Sequence, residues 1–170
     1  MTTDSTAPEV IHAWALYLRA SEEARRRGDR RVGTDHLLLA LLEDPSIEAL
    51  VGVGLKEARD TLDALDHAAM TAVGFNAGPG VPVVAMRTVP EKPRFSDVAQ
   101  RDRLRAAPAA KRALETAAKS NRRRAYVTAQ QVLAQLLALQ PPDPAAVLFV
   151  TLGVNSKEIR QRLDASAPTA

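Results

Sequence analysis

The sequence contains no cysteine, which excludes disulfide bonds, thiol catalysis, iron–sulfur clusters and cysteine-based zinc sites. Aromatic residues make up only 4% of the chain, so its core must be built mainly from leucine, valine and alanine. That composition suits closely packed helices better than sheets, in which β-branched and aromatic residues predominate. We therefore predict an all-α fold.

Long apolar runs are also missing, because none approaches the roughly 20 residues that a membrane-spanning helix needs. The segment Met1–Glu9 is polar and lacks the apolar centre of a secretory signal. The sequence therefore predicts a cytoplasmic protein that makes no membrane contact.

Motifs for catalysis or cofactor binding are scarce. The chain has no Gly-x-x-x-x-Gly-Lys phosphate loop, and its three histidines do not have metal-ligand spacing. His36 follows Asp35 at a predicted helix start, where a buried, hydrogen-bonded histidine is commoner than a catalytic base. We predict no cofactor, no metal site and no enzyme activity, with a hydrolase or transferase that uses His36 as a minor alternative.

Charge is nearly balanced, with 23 basic and 20 acidic residues, although the arginines are clustered. The clusters are Arg25-Arg26-Arg27 with Arg30-Arg31, and Arg122-Arg123-Arg124. We interpret them as solvated side chains at helix C-termini, where the helix dipole favours cations. A helical DNA-binding regulator is the alternative, but nucleic-acid binders usually carry more excess positive charge and more aromatic residues.

The most informative feature is a pattern that occurs twice. Val32–Leu42 reads as a helix start followed by a dense apolar helix, and Val127–Leu137 is a weaker copy. Further along, Gly52–Arg59 aligns with Gly153–Arg160. This duplication predicts two similar units of four helices each.

Local signals place the helix ends. The first helix is predicted from about Glu9 to Gly28, and Gly33 or Thr34 is predicted to cap the central one. Asp44-Pro45 and Asp143-Pro144 each combine a cap with proline at the first helical position. The predicted organisation is a disordered tail 1–8, a unit 9–72, a Gly/Pro-rich linker 73–105, a second unit 106–165 and a tail 166–170.

The start of the central helix is the predicted binding site. Two units packed side by side about a pseudo-twofold axis leave a groove, and Gly33, Thr34 and Asp35 offer it backbone amides and a carboxylate. A carboxylate binds a guanidinium through charge-assisted hydrogen bonds, whereas amides bind an anion. This combination favours a ligand that carries both charges.

These segments resemble the Clp repeat, the duplicated N-terminal domain of the Hsp100/Clp unfoldases of the ClpC and ClpA type. The resemblance is carried by Ala20–Arg25, Val32–Leu42 and Val51-Gly52-Val53 in the first unit, and by Pro108–Glu115 and Leu152-Gly153-Val154 in the second. It implies two tandem four-helix repeats. It also implies a non-catalytic protein that binds the substrates, adaptors or ligands of a Clp protease and acts as an accessory factor, decoy or sequestering protein.

The same resemblance implies the ligand and the partners. Thr34 and Asp35 match a Thr-Glu pair that helps bind phosphoarginine in ClpC-type members, whereas the second unit has Ala129 and Gln130 there. Clp ATPase or protease components, adaptors and substrate proteins are the implied partners, and phosphoarginine or peptide natural products are the implied small ligands. An ATPase module is not found in the sequence, so the chain is expected to act only by binding.

Overall fold

The computed structural model describes residues 10–74, 104–119 and 125–166, which are mainly helical as predicted. We refer to residues 10–74 as the first half and 104–166 as the second half. The predicted tail 1–8, nearly all of the predicted linker 73–105 and most of the tail 166–170 lie outside the described residues. The helices are α1 (Ala13–Arg27), α2 (Thr34–Leu41), α3 (Pro45–Val51), α4 (Leu55–Ala72), α5 (Pro108–Lys119), α6 (Ala129–Leu136), α7 (Pro144–Thr151) and α8 (Ser156–Ser166).

Helix starts follow the predicted caps. Gly33 precedes α2, and the Asp44 and Asp143 side chains accept hydrogen bonds from the amides of Ser46 and Ala145, at 2.8 and 3.1 Å. Proline occupies the first helical position of both α3 and α7. Each aspartate satisfies an amide that the helix itself cannot pair, so these short helices have defined starts.

Two glycines close equivalent turns. Gly52 after α3 and Gly153 after α7 have φ angles of 76° and 69°, the left-handed region that side chains other than glycine's disfavour. The turns Val51-Gly52-Val53 and Leu152-Gly153-Val154 both line one small cleft of about 270 Å³. The aligned segments of the two halves therefore meet in space.

Four short strands were not predicted: β1 (Val10–His12), β2 (Arg31–Val32), β3 (Arg105–Ala106) and β4 (Tyr126–Thr128). Strand β1 pairs antiparallel with β4, and β2 pairs parallel with β3. The predicted helix start near Glu9 is wrong, because residues 10–12 are extended and Nδ1 of His12 accepts the Trp14 amide at 3.1 Å. The backbone groups of β1 are satisfied by the second half instead of by a helix.

Helix α2 lies at the centre of the fold. Every residue from Thr34 to Leu42 is buried, and α2 packs against α1 and α4 of the first half and against α5, α6 and α7 of the second. This confirms that the helix is buried on most sides, as its leucine content predicts. One continuous core joins the two halves around it.

Among the helices of the described ranges, none combines the length and the apolar character that crossing a bilayer requires.

Candidate functional site

A groove of about 660 Å³ opens where the two halves meet, at the N-terminus of α2. Its walls come from the C-terminal end of α1, the loop before α2, one face of α4, Ala107 and the first turn of α7. It contains the predicted site residues Gly33 and Asp35, and we call it the junction groove.

Arg27 forms the charged centre of the groove floor. Its side chain is only 7% exposed, and its guanidinium donates hydrogen bonds to Asp35, at 3.3 Å, and to Asp66. Asp63 and Asp29 lie 3.7 and 3.9 Å from its nitrogens. The prediction that the first arginine cluster is solvated is therefore wrong for Arg27, which is a buried counter-ion for four aspartates.

Asp35 lies at the N-terminus of α2, with 7% of the residue exposed. Burial raises the pKa of a carboxyl group, but hydrogen bonds from His36 and the charges of His36 and Arg27 outweigh it, so the pKa of Asp35 is lowered. Asp35 is therefore a carboxylate at neutral pH, as a guanidinium-binding group must be. The guanidinium that it binds, however, is that of Arg27 in the same chain.

His36 is 3% exposed and is held on both sides of its ring. Nε2 lies 2.9 Å from Asp29, while Nδ1 lies 2.9 Å from the Gly33 amide and 3.2 Å from Asp35. Burial lowers the pKa of His36, but hydrogen bonds to the two aspartates and their charges raise it to about 9. The imidazolium donates from Nδ1 to Asp35, whereas the neutral ring accepts there from the Gly33 amide, so the two contacts belong to different protonation states.

Thr34 is 1% exposed and joins the two halves. Its hydroxyl donates to Asp143, the cap of α7, at 2.6 Å and accepts the amide of Ala145 at 3.3 Å. The predicted binding hydroxyl is thus used in a contact between α2 and α7. Throughout the ranges that the structure describes, no buried side-chain nitrogen or oxygen lacks a hydrogen-bond partner.

Position 33 favours glycine because a side chain would not fit there. Its backbone angles do not require glycine, since a φ of −89° suits any residue. A Cβ atom built on Gly33 would lie 2.2 Å from Oδ1 of Asp35, far inside van der Waals contact. The Asp35 carboxylate therefore lies directly against Gly33, in the position from which it also contacts His36.

We expect Gly33→Ala to lower the free energy of unfolding by about 1–2 kcal/mol, because the new methyl group pushes the Asp35 carboxylate out of its charge network. Gly54→Ala is a matched control. Gly54 caps α4 with similar backbone angles, but there the nearest atom to a built Cβ is a flexible glutamate oxygen at 3.4 Å. Urea unfolding of both variants measures the difference, and equal losses would show that the close approach at Gly33 is not costly to relieve.

Two exposed arginines, Arg30 and Arg31, line the groove beside this network. Within the described ranges neither has an acidic side chain in ion-pair distance. The strand register places Arg31 directly opposite Arg105, which is also exposed. The rim of the junction groove therefore carries the exposed charges of Arg30 and Arg31, with Arg105 on the neighbouring strand, whereas in the floor Arg27 and the protonated His36 lie among four aspartates.

Sequence reasoning found Gly33, Thr34 and Asp35 but missed Arg27 and its other aspartate partners. Asp63 and Asp66 are three residues apart on α4 and hence share a helix face, which is a local signal for an acidic stripe. Nothing in the sequence indicates that this stripe meets the end of α1. The same holds for Asp143, whose role as a helix cap was predicted but whose bond to Thr34 was not.

The chemistry of this arrangement is that of binding and of structure. His36 is buried and hydrogen-bonded to Gly33, Asp29 and Asp35, the geometry of a helix cap, which favours the structural interpretation of this residue. In the described parts of the chain no group of three or more histidine or acidic side chains could hold a metal ion. Compared with known proteins, the chain matches no protein-family model and no curated protein sequence.

Proposed function

We propose that the chain is a pair of tandem four-helix Clp repeats, related by a pseudo-twofold axis and joined by the Gly/Pro-rich linker. Several observations support this. The order helix, strand, three helices occurs in both halves, with equivalent Asp-Pro starts at α3 and α7 and equivalent glycine turns after them. The two glycine turns line one cleft, as expected of counterparts near such an axis.

The strands add a reciprocal pattern. The strand before α1 pairs with the strand before α6, and the strand before α2 pairs with the strand before α5. If the two halves are exchanged, β1 takes the place of β3 and β4 takes the place of β2, so the β1–β4 pair becomes the β3–β2 pair. The ribbons differ in sense, antiparallel against parallel, so the strand pairs depart from the proposed symmetry and its support comes from the order of the helices.

We propose further that the protein is a non-catalytic cytoplasmic binding protein of a Clp protease system. It holds substrate proteins, adaptors or other ligands as an accessory factor, decoy or sequestering protein. The observation that carries this proposal is the junction groove, which takes its walls from both halves and is wide enough for a peptide segment. Phosphoarginine at Gly33, Thr34 and Asp35 stays a prediction, and such a ligand would have to displace Arg27 from Asp35.

Blocking the groove tests the proposal. Ala69 is exposed on the groove wall of α4, whereas Ala68 is exposed on the same helix but does not line the groove. We expect fluorescently labelled casein, as an unfolded client, and an intact Clp ATPase to bind the wild-type chain saturably. Ala69→Trp should weaken client binding about tenfold, a loss of about 1.4 kcal/mol, and Ala68→Trp should not.

If the wild-type chain binds neither the client nor the ATPase, the proposed function is wrong. If Ala69→Trp and Ala68→Trp weaken client binding equally, the binding site lies outside the groove. For the DNA-binding alternative, Arg27 is unavailable because it is buried among aspartates, and Arg26 is bonded to Glu23 at 3.2 Å. Arg30 and Arg31 remain exposed, so a DNA-binding assay is the test of this alternative.

A further inference from the structure

We propose that the junction groove binds acidic peptide segments in which a carboxylate stands next to an aliphatic side chain. This inference rests on the proposed binding function and names its ligand class. It follows from where the positive charges of the site lie: Arg27 and His36 are enclosed among aspartates in the floor, and Arg30 and Arg31 are exposed at the rim.

The floor already contains a guanidinium. Arg27 donates to Asp35 and Asp66 and lies within 4 Å of Asp29 and Asp63, while His36 takes the remaining contacts of Asp29 and Asp35. Arg27 is thus an internal substitute for a ligand guanidinium. A ligand guanidinium would have to displace Arg27 from Asp35, which is buried and already bonded to Arg27 and His36.

At the rim the arginines have no acidic partner among the described residues. Arg30 and Arg31 lie on the groove lining, and Arg105 is the neighbour of Arg31 across the β2–β3 pair. Arg30 and Arg31 are adjacent in the chain and have no acidic partner in the described ranges, so an anion bound beside them offsets their mutual repulsion. Guanidinium groups bind carboxylates through paired, directional hydrogen bonds, which gives such an anion a defined orientation.

The wall beside the rim is apolar. Leu65 and Val147 are partly exposed into the groove, and Pro144 and Ala69 continue this surface on α7 and α4. An aliphatic side chain that lies on this wall places its neighbouring residue at the rim. The combination selects a peptide in which acidic and aliphatic residues are adjacent, and it distinguishes such a peptide from a simple polyanion.

The test uses the full chain and a fluorescein-labelled peptide of alternating leucine and glutamate, followed by fluorescence anisotropy at physiological salt. Replacing both rim arginines, Arg30→Gln with Arg31→Gln, should weaken binding about tenfold. Arg112→Gln with Arg162→Gln removes the same two charges from exposed positions outside the groove and should leave binding unchanged. Circular dichroism confirms that both double variants remain folded.

Three other ligands are tested in the same way: a second peptide with lysine in place of glutamate, free phosphoarginine, and a short DNA duplex. We expect none of them to bind comparably to the acidic peptide. Tighter saturable binding of the basic peptide or of phosphoarginine than of the acidic peptide, abolished by Asp35→Asn, would overturn the inference while it leaves the proposed function standing. Tighter binding of the duplex than of the acidic peptide would also overturn it. If no peptide and no unfolded protein binds, the proposed function fails as well.

Discussion

Replacing Arg27 with alanine is expected to lower the free energy of unfolding by about 2 kcal/mol, because it removes a nearly buried guanidinium from four aspartates and leaves buried Asp35 with His36 as its remaining cation in the described part of the chain. The neighbouring Arg26 is a matched control. Its side chain is 40% exposed and bonds Glu23, which retains Arg59 as a second partner. Arg26→Ala should therefore cost less than about 1 kcal/mol. Urea unfolding at neutral pH measures both.

Guanidinium ion makes this prediction specific to the lost contact. At concentrations well below those that denature proteins, it should bind the space left in the Arg27→Ala variant and raise its melting temperature by mass action. Sodium chloride at equal ionic strength should not do so, and the wild type should not respond. If Arg27→Ala is as stable as the wild type, Arg27 is not the counter-ion that holds the aspartates together.

Raising the pH from 6.5 to about 9 is expected to lower the free energy of unfolding by as much as about 3 kcal/mol. The pKa of His36 is raised in the folded state to about 9 from an ordinary value of 6.5. A raised pKa means that the folded state binds the proton more tightly than the unfolded state. The stabilisation is therefore complete below the unfolded value and is lost as the pH passes through the folded one.

His36→Gln isolates this effect. Glutamine at the third helical position retains an acceptor for the Gly33 amide, as in a capping box, but does not titrate. Between pH 6.5 and 9 the free energy of unfolding of the variant should change much less than that of the wild type. Urea unfolding at a series of pH values measures both. A flat profile in the wild type would instead show that the ring stays neutral and that Nδ1 serves only the Gly33 amide.

Local rules predict the helical framework well, because the signals that set it lie within a few residues. Asp44 and Asp143 accept amides two positions away, as predicted, and Thr128 and Gln131 form a capping box in which each side chain accepts the other's amide. The leucine-rich run of α2 is dense enough to require burial whatever its neighbours are. These features depend on the chain only over one or two turns.

The strands and the charge network depend on distant partners, and this is why they were missed. Val10–His12 has helical periodicity, but its backbone pairs with Tyr126–Thr128. Arg27 has the position of a solvated helix-end arginine, yet α4 brings Asp63 and Asp66 to it. Periodicity and capping identify which residues are special in a helix, whereas packing between helices decides which of them remain available to a ligand.

The hydroxyl of Thr34 has a consequence for how the chain divides. Because it contacts both the cap of α7 and the Ala145 amide, the beginning of α7 is tied to a residue of the first half. The leucines of α2 are likewise covered by helices from both sides. We therefore expect that a cut between residues 74 and 104 does not yield two self-sufficient pieces: one would have an uncovered apolar helix, and the other would lose the helix against which its own helices pack.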